Sequence, residues 1–418
     1  MRSRLLAAVT LTLLTAQAHA TDGYFSLGYG IQSKAEAGTG IALARDALTI
    51  ATNPAGLTAA PGSLEIGADV FAPSRGATLT QGGVPADFSG NGTSAFLIPE
   101  LGYNRSLGKR AAFGVAVFGN GGMNTDYDRN PFARFGATGS AGVDLTQLFI
   151  SPGVAVKLGD SQSFGVALNG VYQRFKAKGI GLFAGFSADP AHVSDQGYDA
   201  STGFGLRVGW QGQFGQHLRL GATWQPKIRT GAFDRYRGLF ADAGGFDIPE
   251  TYGIGLAVRP GERWQLALDW QRTLYSDVPS VGDPLNALFA GVPLGAPNGP
   301  GFGWQDVTVW KLGGNVRLND RLVLRAGVAR NDQPIPASQT FINILAPGVV
   351  RTHTTFGVTW ALDATHELDF AYMHAARETV AGSGSIPPAF GGGEADLRLA
   401  ENSLGFAWRR RFGGEGTR

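Results

Sequence analysis

The chain of 418 residues has no cysteine, which excludes a disulfide framework and any thiolate metal site. Charge is scarce: Asp, Glu, Lys and Arg make up 16% of the residues, the net charge is +2, and no run of five like charges occurs. That balance argues against a nucleic-acid partner, which needs a concentrated basic patch. Long apolar runs are also missing after the first residues. Leu5 to Leu14 is too short to cross a bilayer as a helix. With Arg2 and Arg4 before it and Ala18-His19-Ala20 behind it, it reads as a secretory signal over residues 1–20, with Sec-type export of a chain beginning at Thr21.

Motifs that carry chemistry are absent as well. His192, His217, His353, His366 and His374 are scattered, with no His-x-x-x-His pair and no Gly-x-Ser-x-Gly elbow. Asp126-Tyr127-Asp128-Arg129-Asn130 begins like a calcium loop, but Pro131 stands where glycine is needed and Ala137 where the closing glutamate belongs. Gly203-x-Gly205 lies inside a strand pattern, which argues against a phosphate loop. No catalytic residue, metal or cofactor is expected.

What the chain has in quantity is glycine, 63 residues, together with 26 Phe, 10 Tyr and 8 Trp. These fall into about fourteen strand-like stretches joined by two kinds of connection. Six are short and polar: Gly108-Lys109-Arg110, 159–162, Gly215-Gln216, Pro260-Gly261-Glu262, Asn319-Asp320 and 363–365. Seven are long: 74–93, 124–143, 178–200, 227–249, 276–303, 331–350 and 377–400. Sorting of loops by parity has no purpose in a soluble sandwich. It is the habit of a bacterial outer-membrane barrel, with short periplasmic turns and long extracellular loops.

Alternation within the strands agrees. Trp264, Leu266, Leu268 and Trp270 share one face opposite Gln265 and Asp269. Leu218, Leu220, Ala222 and Trp224 oppose Arg219 and Thr223, and Leu368, Phe370 and Tyr372 oppose Glu367 and Asp369. One face suits lipid and the other a polar lumen. Their average cancels, which explains a mean hydropathy near zero. The last strand presents Leu404, Phe406, Trp408 and Phe412, the aromatic ending that barrel-insertion machinery reads, with a tail of 413–418 behind it.

Residues 21–62 do not look like wall. They hold a stretch of helix formers, Lys34 to Thr49, then the proline-punctuated turn Asn53-Pro54-Ala55-Gly56-Leu57. This segment has too little apolar surface for its own core, and the polar inner wall is the nearest surface to sit on. The expected fold is therefore all-β: a 14-stranded antiparallel transmembrane β-barrel over 63–412, with a small, partly helical N-terminal hatch over 21–62.

At these residues the chain resembles the FadL family of outer-membrane transporters of long-chain fatty acids and other hydrophobic compounds. Gly23-Tyr24, Ala37-Gly38-Thr39-Gly40-Ile41-Ala42, Asp46 and Asn53-Pro54-Ala55 are similar to the family's hatch. The similarity continues through Phe113-Gly114-Val115 to Asn120-Gly121-Gly122-Met123-Asn124. Three glycines within Gly119, Asn120, Gly121 and Gly122 weaken a ladder and favour a bulge or inward kink. The resemblance implies that this third strand turns inward and opens a lateral exit into the bilayer. It also implies capture of ligand by the third and fourth long loops, which here carry Phe183, Phe186, Phe233, Leu239, Phe240 and Phe246, and transfer to a pocket touching Tyr24 and Phe25. Arg174 resembles a family segment near the internal pocket, although alternation from Val166, Leu168 and Tyr172 points it outward.

Lys227, Arg229, Arg235 and Arg237 adjoin the loop aromatics. They suit either a carboxylate head group or lipopolysaccharide phosphates. The expected activity is passive uptake of long-chain fatty acids or similar molecules by a monomer in the outer membrane. A channel for aromatic hydrocarbons, a general porin for hydrophilic solutes and an outer-membrane hydrolase are the alternatives.

Overall fold

The computed structural model describes residues 22–412; the expected signal segment and the tail 413–418 lie outside the described residues. The strands are β1 (Ser63–Gln81), β2 (Val84–Ser89), β3 (Phe96–Leu107), β4 (Ala111–Tyr127), β5 (Ala141–Leu158), β6 (Gln162–Lys178), β7 (Asp199–Phe214) and β8 (Leu218–Gln225). They continue as β9 (Thr251–Val258), β10 (Trp264–Thr273), β11 (Val307–Arg317), β12 (Leu322–Asn331), β13 (Thr352–Ala361), β14 (His366–Val380) and β15 (Glu394–Arg411). All but β2 form the wall. Each wall strand pairs antiparallel with its neighbours, and β15 returns to β1 from Ser63↔Arg411 to Thr80↔Glu394. Closure is what lipid demands, because an open edge leaves backbone groups with no water to bind.

The two faces sort as the alternation requires. Trp264, Leu266, Trp310, Leu312, Phe370 and Leu404 point outward, whereas Asp269, Lys311, Asp369 and Glu401 point inward and are buried. Each outward Leu or Phe is worth about 1.5–3 kcal/mol when lipid replaces water, so the wall is specified by environment more than by local propensity. Two of the long connections are shorter than expected. Residues 74–93 are mostly β1 and β2 in a hairpin, and 377–400 shrinks to 381–393. The ladder continues there beyond the apolar outward face, in polar company such as the Arg398–Asp87 ion pair at 2.6 Å. Alternation between lipid and lumen no longer marks such residues.

Residues 22–62 fill the lumen, with two single-turn helices, α1 (Ile31–Lys34) and α2 (Thr49–Thr52), and a 3-10 turn at Pro54–Thr58. Buried ion pairs fasten them to the wall. Lys34 meets Asp69 at 3.2 Å and Glu100 at 3.5 Å, and Lys311 meets Asp22 at 2.8 Å. Glu36 joins Arg45 at 2.5 Å and also Arg325. Burial raises the Glu36 carboxyl, but the two guanidinium groups outweigh it and hold the group below the ordinary carboxylate range. Burial likewise lowers the Lys34 ammonium, and Asp69 and Glu100 outweigh that and hold it above the usual lysine value. Glycine lets the two backbones touch. A Cβ at Gly313 would lie 2.2 Å from the Glu36 carbonyl oxygen, and one at Gly165 would lie 2.3 Å from the Pro54 carbonyl carbon.

Candidate functional site

One seam of the wall is only half sewn. β3 and β4 pair from Leu101↔Val117 down to Leu107↔Ala111 and no further. Above that point the residues Phe96 to Glu100 pair with β1 alone, while Phe118 onward pairs with β5 alone. The seam closes again at its top, where Gly92 N–H donates to the Asp126 carbonyl at 2.9 Å and Asp126 N–H to that of Gly90 at 3.0 Å. Pro99 stands in the unpaired stretch, where a residue without an N–H is tolerated.

The cause lies in the glycines of β4. Its register with β5 slips between Gly119 and Gly121, a bulge at Asn120 that turns the strand inward. The freed backbone does not go unsatisfied. Gly122 N–H donates to the Tyr24 carbonyl at 2.8 Å, and Ser26 N–H donates to that of Asn120 at 2.9 Å, so the leading peptide of the hatch replaces β3 as the partner. Gly121 is required for this approach: its Cβ would sit 2.0 Å from the Tyr24 carbonyl oxygen. Asn120 is fully buried, and its amide spans to Gln147 Oε1 at 3.1 Å and accepts from Tyr29 Oη at 2.8 Å. The Tyr29 ring rests on Phe118 with centroids 4.5 Å apart, behind the gap.

An unbroken run of rings descends to this point from the extracellular loops. Phe175 contacts Phe240 at 4.6 Å, Phe240 contacts Phe246 at 5.0 Å, Phe246 contacts Tyr24 at 6.0 Å, and Tyr24 contacts Phe25 at 5.1 Å. Tyr275 pins the lower end. Its hydroxyl accepts from Tyr24 N–H at 3.2 Å and donates to the Asp22 carbonyl, and its ring lies against Trp304 at 5.3 Å. Phe25 in turn bridges to Gly121. The loop 274–306, the leading peptide and the bulge are therefore one contiguous contact network.

The residues singled out from the sequence divide accordingly. Tyr24, Phe25, Gly119, Asn120, Gly121, Gly122, Phe240 and Phe246 come together along this path, and Phe233 joins it through Phe175 at 5.7 Å. Asn53, Pro54 and Ala55 sit apart from it. Asn53 donates to the carbonyls of Ile41, Trp210 and Ala222 at 2.8, 3.0 and 3.2 Å, which anchors the hatch to the wall.

The aromatic side chains of the third and fourth long loops are packed into the loop core. Phe183, Phe233 and Phe246 are fully buried, Leu239 and Phe240 nearly so, and Phe186 is half-buried against Phe289 and Phe390. The clustered rings pack on each other.

Arg174 departs from the pocket assignment. Its guanidinium lies on the outer face over the Tyr198 ring at 4.6 Å, because β6 keeps strict alternation. Lys227, Arg229, Arg235 and Arg237 are exposed, and Arg237 is paired with Asp189 at 2.7 Å. The lumen cations are others. Lys311 belongs to Asp22, while buried Arg207 donates to Gln225 Oε1 at 2.8 Å and to the Thr52 carbonyl at 3.4 Å, with no ion-pair partner among the described residues. Alternation on β7 and β11 puts both inward, and that was the available signal. Tyr275, Trp304 and Ile98 had none, since loop packing and the gap bring them in.

A closed barrel stoppered by its own leading peptide, with a wall strand bent toward that peptide, defines a plugged outer-membrane transport barrel. The comparisons place it further: residues 13–393 match the model of the family described as outer membrane protein transport protein (OMPP1/FadL/TodX), and the chain belongs to that family. The long-chain fatty acid transport protein of Escherichia coli K12 is 24% identical over 88% of this chain and 91% of its own length. Among solved structures, a Pseudomonas aeruginosa FadL homologue superposes with a TM-score of 0.71 at 15% identity, covering 94% of this chain and all of that one. The Pseudomonas putida toluene transporter TodX gives 0.68 at 20% identity over 94% of this chain and all of that one. These two likenesses are of fold.

Proposed function

We propose that this protein passively takes up long-chain fatty acids or similar hydrophobic molecules across the outer membrane and releases them sideways through the gap between β3 and β4. The observation that carries the reading is the substitution of Tyr24–Ser26 for β3 along the bulged β4, because a peptide that is not part of the wall ladder is a movable closure where a strand is not. A solute is first held at the half-exposed ring edge of Phe186 and Phe289, then follows the rings toward Tyr24 and Phe25. Displacement of the leading peptide uncovers the gap. Transfer into lipid needs no other drive, since each buried methylene is worth about 0.8 kcal/mol.

The filled lumen opposes a general porin for hydrophilic solutes. A carboxylate-bearing substrate is favoured over a plain aromatic hydrocarbon by Arg207, a buried cation without an acidic partner among the described residues, which lines a cavity of about 20 Å³ with Tyr29, Gln271 and Lys311. In this reading the protein is a monomer inserted by the barrel-assembly machinery, and Arg229 and Arg235 face lipopolysaccharide.

A staple tests the exit. A Cβ at Gly119 would lie 2.8 Å from Ile98 Cγ2, close enough for a disulfide between Ile98→Cys and Gly119→Cys in a chain with no other cysteine. Oxidation should bring oleate uptake by whole cells to the level of cells lacking the protein, with recovery on reduction. Unimpaired uptake in the fully oxidised form would place the exit elsewhere.

A further inference from the structure

At the end of the barrel that carries the short turns, an open cleft of about 280 Å³ lies between the turn 159–161, the ends of β7 and β8 and the foot of the hatch at Thr58 and Ala59. Its lining is polar. Ser161, Gln162 and Ser163 stand on one side, Gln211 and Gln213 on the other, and two cations, Lys157 and Arg219, face the space between. Both cations are half-buried, and alternation puts both on the inner side of the wall, Lys157 opposite Ser163 and Arg219 opposite Gln213. Neither has an ion-pair partner among the described residues. Arg219 donates to a neutral acceptor, Gln213 Oε1, at 3.3 Å, and Asp160, the one acid lining the cleft among the described residues, is exposed in its turn and pairs with neither cation. A third positive charge adjoins them. Arg219 pairs with Ala257, so Arg259, two residues on, is its diagonal neighbour on the same face, and Arg259 is exposed and also without an ion-pair partner among the described residues. Deeper in the lumen Lys34, Lys311, Arg325 and Arg409 each have a carboxylate partner. The matching of cation to acid stops at the mouth.

We propose that this cleft is a binding site for a phosphate group, presented by a soluble phosphate ester or by a phospholipid headgroup of the inner leaflet. Like charges set side by side without a counter-charge repel, and an anion between them turns that repulsion into charge-assisted hydrogen bonds. The spread of the donors selects the anion. Three strand spacings put the backbones of Lys157 and Arg219 about 14 Å apart along the wall, so a ligand between their side chains is approached from opposite sides. A carboxylate offers two oxygens in one plane, whereas a tetrahedral phosphate offers oxygens to the Lys157 ammonium, to the Arg219 fork and to the Ser161 hydroxyl together. Because the cleft is open to water, the charge of the ligand costs little to place there. A headgroup has a short way to come: Leu158 and Phe214, next in the chain to Lys157 and Gln213, are exposed on the outer face, where lipid begins. A bound phosphate joins the ends of β5 to β8 to the foot of the hatch. The site is independent of the route a solute takes through the lumen.

The test titrates inorganic phosphate into the purified full-length protein in detergent by calorimetry, at constant ionic strength held with chloride. The wild type should bind, and Lys157→Gln and Arg219→Gln should each weaken binding about tenfold, the worth of a hydrogen bond to a charged group. Asp160→Asn removes the one repelling charge and should tighten binding by about threefold. A gain of this kind does not come from misfolding. Lys109→Gln, an exposed cation in a different short turn and outside the cleft, should leave binding unchanged. Phosphate binding that is absent from the wild type, that survives the Lys157→Gln, Arg219→Gln double variant, or that falls as far in Lys109→Gln overturns the proposal, the last because it marks a diffuse charge effect. The source of the phosphate is read in phosphatidylcholine nanodiscs. Phosphatidylglycerol that weakens the binding of inorganic phosphate assigns the site to a headgroup, and competition by glycerol phosphate alone assigns it to a soluble ester.

Discussion

The seam between β15 and β1 and the seam between β3 and β4 are built from the same materials and end in opposite states. At the first, eighteen residue pairs run without interruption, and Arg409 beneath them meets Glu65 and Glu367 at 3.1 Å and Asp369 at 2.6 Å. At the second, seven pairs stop at Leu101 and Val117, and the hatch supplies the missing partner. A strand bonded on both sides is held by the whole ladder. The peptide that takes the place of β3 is held by two backbone hydrogen bonds to β4, by the Tyr275 hydroxyl and by the Asp22–Lys311 ion pair. The contrast teaches that one seam of the wall is closed by its own strands and the other by the plug.

Four experiments break or sharpen that contrast, taken from the largest expected effect downward. Removing residues 21–50 takes most of the plug out of the lumen, and single-channel conductance in planar bilayers should rise by about an order of magnitude, since an unplugged barrel of this size is a water-filled channel. An unchanged conductance would mean that the segment does not close the pore. Next is Gly165→Val, at the body of the hatch. Its side chain meets the Pro54 carbonyl, and overpacking of this kind costs about 1–3 kcal/mol. The thermal transition followed by heat-modified gel mobility should fall, whereas the same change at Gly108, whose Cβ would meet nothing, should cost only backbone strain.

Tyr275→Phe probes the leading peptide. Loss of the hydroxyl leaves the rings packed and removes about 0.5–1.5 kcal/mol of hydrogen bonding, so amide exchange at Tyr24 and Gly122 should accelerate roughly five-fold with the global transition unmoved. Protection unchanged at both amides would show that Tyr275 does not pin the peptide.

The smallest effect is that of pH on the body of the hatch. Glu36, held below its ordinary value of 4.5, adds stability at every pH above that value and loses it only as pH falls through its own lower folded value. Protease access to the Glu36 region should stay constant from pH 7 to pH 4.5 and increase only in stronger acid. An increase that begins above 4.5 would assign the anchoring to other groups.

Much of this was legible along the chain. Alternation at Trp264 to Trp270 and at Glu367 to Tyr372 gave the faces, because lipid and lumen impose opposite demands on neighbouring side chains. Gly119 to Gly122 marked the bulge, since missing side chains weaken a ladder wherever they occur. The length of β1 and β15 was hidden, because at these ends the pattern reverses: Thr78, Asp396 and Arg398 are the more exposed residues while Leu79, Leu397 and Leu399 are buried. Arg174 kept to its alternation and so lay outside. Tyr275 and Trp304 looked like ordinary loop aromatics.

By itself, then, the sequence determined a closed barrel with an inserted leading segment, because period and loop parity act through short-range physics that each segment carries with it; that the glycine-rich strand bends inward was implied by the resemblance. Which groups meet at the bend was decided only by the tertiary structure. Tyr24 faces Gly121 across 97 positions of chain, and Tyr275 faces Tyr24 across 251. Contacts at such separations depend on how the cylinder closes around its plug, and no local pattern encodes that.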